Sequence, residues 1–149
     1  MSFLDFAISL KLVIDELEET RERESILIGQ ELTALVRRRV QNDKVNSIGS
    51  LFTPYTPAWA KIREDNNLQA EQKDFTFSGL MWKNIGVTDV NNNSGVTEVS
   101  IGGQTERSAT ILEGQSTRDG NIIEPNEQEV QFVVEAHQER IFGVLNKFL

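Results

Sequence analysis

Few residues in this chain have the chemistry for catalysis, and each has an ordinary structural role competing with it. His137 is the single histidine, so a Ser-His-Asp relay would have to run through it. Val133, Val134 and Ile141 flank it at helical spacing, which puts it on an apolar stripe where a histidine packed at the edge of a core is expected. A zinc site draws on cysteine and histidine, and this chain has no cysteine and no second histidine. Asp15, Glu16, Glu18 and Glu19 alternate with cations along one helix, the pattern of a solvated face. The segment GQSTRDGN has glycines and hydroxyls but not the Lys-Ser/Thr of a phosphate-binding loop. No enzyme, cofactor or metal is implied.

Arg37, Arg38 and Arg39 form the one cationic run. Such a run either contacts phosphates, as a DNA-channel patch would, or offsets the negative end of a helix dipole. The net charge of −8 over 149 residues favours the second, because affinity for nucleic acid needs cationic surface. The absence of cysteine suits a reducing compartment. The N-terminal stretch lacks the basic start and cleavage site of a signal peptide, and no apolar run is long enough to span a bilayer. Apolar residues make up 38% of the chain. For a folded domain that is somewhat low, so either part of the chain is extended and solvated or neighbouring subunits supply part of its burial.

The elements follow from periodicity. Phe6, Leu10, Val13 and Leu17 make a helical stripe that resumes at Ile28, Leu32 and Leu35. Glu18–Arg21 and Glu19–Arg23 are expected ion pairs on its outer face. One helix over residues 4–40 would be about 55 Å long, longer than a domain of this size is wide. Part of it must then project or lie on a neighbour, unless it breaks near Gly29; the sequence leaves both open.

Thr56-Pro57 reads as the cap and first turn of a short helix, PAWAKIRED, with Trp59 and Ile62 on one face. In FTFSGLMWKNIGV, residues 75–87, FTF has strand-like composition and Ser78 caps a short helix. Two β-rich runs, IGVTDV and GVTEVSIGG, flank NNNSG and predict a hairpin with a longer than minimal loop. ERSATILEGQ predicts a helix ending at Gly114, followed by a turn-rich excursion through Asp119-Gly120. Asn126, with Glu129 three residues on, predicts a reciprocal cap for a last helix of about six turns. Residues 1–149 read as one α+β domain, with a long N-terminal helical region over 1–40 and a long C-terminal helix.

Three segments also resemble a known family. PYTPAWAKIRED is similar to the Tyr-Ser-Pro-containing segment, followed by a basic residue, of phage virion morphogenesis proteins. FTFSGLMWKNIGV resembles that family's core motif, and ERSATILEGQSTRDG the segment leading to a subunit-facing loop. The resemblance spans about residues 54–149. It departs at IIEPNEQEV, where relatives carry an Arg-Pro-Phe-like segment, and in the longer acidic N-terminal helix.

The family comprises neck, tail-completion and minor tail proteins of tailed bacteriophages. It implies a small antiparallel curved sheet packed against a long C-terminal helix. It also implies a structural virion subunit at the head–tail joint, assembled in the host bacterial cytoplasm as a homo-oligomeric ring. The expected partners are its own copies, neighbouring connector, neck and tail proteins, and DNA in passage; an acidic bore would repel that DNA. No membrane and no catalytic residue is implied. The alternative is a non-catalytic phage-encoded adaptor or binding module acting as monomer or dimer. The expected subunit or partner interface is Trp59, Met81, Trp82, Arg118 and Asp119, with Trp82 left at the margin of the core for a neighbour.

Overall fold

The computed structural model describes residues 3–76, 78–94 and 96–148, with no account of the side chains of residues 3–10 and 13. Of the stripe residues, the side chains of Phe6, Leu10 and Val13 therefore lie outside the described residues, as do Phe77 and Gly95 altogether. The architecture is α+β. Helix α1 (Phe3–Arg38) runs unbroken through Gly29 and passes into a π-helical turn, Arg39–Asp43, that ends on Lys44 in the left-handed conformation. Its 36 residues span roughly 54 Å.

Gly29 does not break α1; it lets a hairpin approach. Strands β1 (Ile85–Asn93) and β2 (Val96–Gly103) pair antiparallel, in register from Ile85–Gly103 to Asn93–Val96, with a bulge between Val87 and Asp89. A Cβ on Gly29 would stand 2.4 Å from Val87 Cγ2 and 2.8 Å from Val99 Cγ1, so only glycine admits this approach. Asn91–Asn93 extend β1, and the connection shrinks to positions 94 and 95 in place of the longer loop expected. Arg21 holds the tip, donating from Nε to the Thr97 hydroxyl at 3.2 Å. That contact takes Arg21 away from Glu18, and neither i,i+3/i+4 pair expected on α1 forms among the described residues.

Helix α5 (Glu127–Leu145) lies along another face of α1. The expected reciprocal cap is present: Glu129 N–H donates to Asn126 Oδ1 and Asn126 N–H to Glu129 Oε2, both at 2.8 Å. Val133 and Val144 are buried on this seam. The rest of it is charged. Buried Glu24 accepts from Arg140 Nε at 2.5 Å and lies 3.3 Å from His137 Nδ1, while Arg140 also reaches Glu31 at 2.8 Å. Burial alone would raise the Glu24 carboxyl, but the Arg140 and His137 hydrogen bonds outweigh it and hold it below its usual range. His137 is thus a packed histidine at the edge of a helix seam.

Three shorter helices occur among the described residues: α2 (Pro57–Asp65), α3 (Leu80–Lys83) and α4 (Glu106–Asp119). α2 starts as expected, with the Thr56 hydroxyl accepting from Trp59 N–H. α4 runs through Gly114 and stops at Gly120, whose positive φ of 80° favours glycine. A lone glycine inside a helix costs only about 1 kcal/mol, and the end falls where the backbone has to turn.

The main core gathers Val36, Val40, Phe52, Trp82, Ile85, Leu112 and Ile122, with Phe75 and Met81 packed against it. Phe52 and Phe75 meet edge to face at 4.9 Å between centroids. The 75–87 stretch therefore packs under the end of α1 and against α4, not under α5. Phe75 and Thr76 form no strand, and Phe75 adopts a positive φ of 54°.

Candidate functional site

One pocket collects most of the expected interface. α2 carries a buried arginine, Arg63, inward and leaves Trp59 and Ile62 about half exposed. The guanidinium organises the loop that follows. Nη2 bridges both Asp74 carboxylate oxygens at 3.1 and 3.2 Å, Nε donates to the Gln69 carbonyl at 2.6 Å, and Nη1 donates to the Thr76 carbonyl. The Tyr55 ring lies 4.2 Å from the guanidinium carbon, and its hydroxyl donates to Asp74 at 2.9 Å. Burial pushes the Tyr55 hydroxyl up to about 12, and the adjacent Asp74 carboxylate reinforces the shift. This knot fixes residues 66–76 with no regular secondary structure beyond isolated bridges.

Above it opens a pocket of about 620 Å³, between α2, α3 and α4. Its apolar lining comes from Trp59, Phe75, Leu80, Met81 and Ile111, and Arg107 and Arg118 stand at the rim. Neither rim arginine has an ion-pair partner among the described residues. Trp59, Met81 and Arg118, far apart in sequence, are thus brought to one surface.

Trp82 and Asp119 are not part of that surface. Trp82 is 2% exposed and donates its indole N–H to the Asp74 carbonyl at 3.4 Å. With one turn of α3 available, turning Trp82 to the core puts Leu80 outside, so Trp82 is not at the margin where it was expected. Asp119 turns inward to accept from Lys73 at 2.8 Å and from the Thr53 hydroxyl at 3.1 Å.

The arginine run is divided as well. Arg37 and Arg38 are exposed beside a second groove, of about 1050 Å³, between α1 and β1. Arg39 is buried. It donates to Glu129 at 2.8 Å and to the Val45 and Glu124 carbonyls at 2.9 and 2.7 Å. A side chain held by those acceptors cannot line a channel, so any cationic patch is reduced to Arg37 and Arg38.

No group of three or more histidine, cysteine or carboxylate side chains placed to hold a metal occurs among the described residues. No helix among them is long and apolar enough to cross a membrane. Sequence reasoning missed the Arg63–Asp74 knot and the rim residue Arg107; an arginine on the expected apolar side of α2 was the available signal for the knot. Compared with family models, curated proteins and solved structures, the chain matches none.

Proposed function

We propose that this chain is a structural subunit of a homo-oligomeric ring, at the head–tail joint of a tailed bacteriophage. The observation that carries the assembly part is an imbalance of apolar surface. Nine hydrophobic side chains are buried among the described residues, while fourteen large ones, including Trp59, Leu80, Phe132 and Phe142, are exposed. The buried charges among the described residues are meanwhile all paired within the chain, as with Glu24, Arg39 and Arg63. A lone domain gains nothing from so much uncovered apolar area, and copies that pack together would cover it. The phage setting rests on the resemblance of PYTPAWAKIRED, FTFSGLMWKNIGV and ERSATILEGQSTRDG to virion morphogenesis proteins. In such a ring, Arg37 and Arg38 are the cations of the run left to face passing DNA.

Native mass measurement and negative-stain microscopy of the purified chain test the assembly, with closed rings expected. Antibody labelling of phage particles tests the location, with label expected at the head–tail joint. A monomer or dimer that stays off particles would favour a non-catalytic adaptor.

A further inference from the structure

We infer that the ring contact is heterologous: the outer face of α5 of one copy enters the Trp59–Met81 pocket of the next. This rests on the reading of the chain as a self-assembling subunit and names the two surfaces that would meet. Phe132, Glu135, Glu139 and Phe142 fall within about 80° of one another around α5, on the side turned away from α1. Phe132 and Phe142 are 59% and 62% exposed, and they stand roughly 15 Å apart along the helix. Between them the two carboxylates have no ion-pair partner among the described residues.

The pocket presents the complementary pattern. Its lining is apolar, with Phe75, Leu80, Met81 and Ile111, and at its rim Arg107 and Arg118 have no ion-pair partner among the described residues. An aromatic side chain would fill the pocket while the carboxylates reach the rim arginines. That is the aromatic, methionine and arginine chemistry enriched where proteins meet. The complement to the pocket therefore exists on this same chain. Two different patches on one subunit make a head-to-tail contact, which closes into a ring when the rotation between copies permits it.

The cysteine-free sequence makes the test direct. Leu80→Cys and Phe142→Cys are prepared separately, both at exposed positions, with circular dichroism confirming that each folds. They are then mixed and treated with a short bifunctional thiol crosslinker. Crosslinked dimers are expected in the mixture and not in either variant alone. Arg118→Glu and Glu139→Arg should each weaken self-association about tenfold or more, and the two together should restore it.

Wild-type assembly with crosslinks only within the Phe142→Cys preparation, or with assembly unchanged in both Arg118→Glu and Glu139→Arg, overturns this contact and leaves self-assembly standing. A wild-type chain that is monomeric at every concentration overturns both, and would assign the pocket to a different protein.

Discussion

The Arg39 guanidinium and the Glu129 carboxylate meet at 2.8 Å across 90 positions of sequence, both almost wholly out of solvent. Glu129 simultaneously closes the N-terminal cap of α5, so one ion pair locks the end of α1 to the start of its partner helix. Breaking a buried pair by removing one member strands the other charge. Arg39→Ala should therefore cost about 3–5 kcal/mol in urea unfolding. Arg37→Ala and Arg38→Ala, whose side chains are exposed, should stay within about 0.5 kcal/mol of the parent. Equal effects at all three positions would contradict this division.

Trp82→Ala removes a large side chain from the middle of the main core and should cost about 3–5 kcal/mol. Leu80→Ala, on the opposite side of the same turn, should barely alter unfolding of the dissociated chain and should weaken assembly. Unfolding curves taken at a dilution where copies are apart separate the two effects.

Gly29→Ala sets two terms against each other. Helix propensity favours alanine by about 1 kcal/mol, while forcing a methyl into Val87 and Val99 costs about 1–3 kcal/mol. A net loss is expected. Val87→Ala placed in the Gly29→Ala background should be milder than the sum of the single changes, because it vacates the contested space.

Tyr55 is the only tyrosine, so phenolate absorbance reports it without overlap. In the folded chain it should ionise near 12, against about 10 when unfolded. The folded state favours the neutral phenol. Its contribution to stability is therefore complete below pH 10 and is lost as pH rises from there towards 12. Native-state titration near 10 would mean that the Tyr55–Arg63–Asp74 knot is open in solution.

Legibility followed the range of each interaction. Thr56-Pro57 and Asn126/Glu129 announce helix starts because a cap is made by residues within one turn. Gly114 and Gly120 look alike locally, and only the return of the chain after α4 decides which takes a positive φ. Arg39 reads as one of three exposed cations because its acceptors include Glu124 and Glu129, more than 80 positions away. The expected Glu18–Arg21 pair gave way to Thr97 for the same reason. Trp59, Met81 and Arg118, singled out by residue type, line one pocket. The inward turn of Trp82 and Asp119 was not legible, since it depends on which side of a single helical turn meets the core.

The seam between α1 and α5 also sets a timetable. Glu24 and His137, which face each other across it, are 113 positions apart. At about 5–20 residues per second of synthesis, the first helix waits roughly 6–23 s for its partner. During that interval the α5 side of α1 has nothing to lie against, and Glu24 has no Arg140 to meet its charge. A chain built this way completes its longest contact last, so a ribosome stalled before α5 would leave α1 without the helix that covers that side.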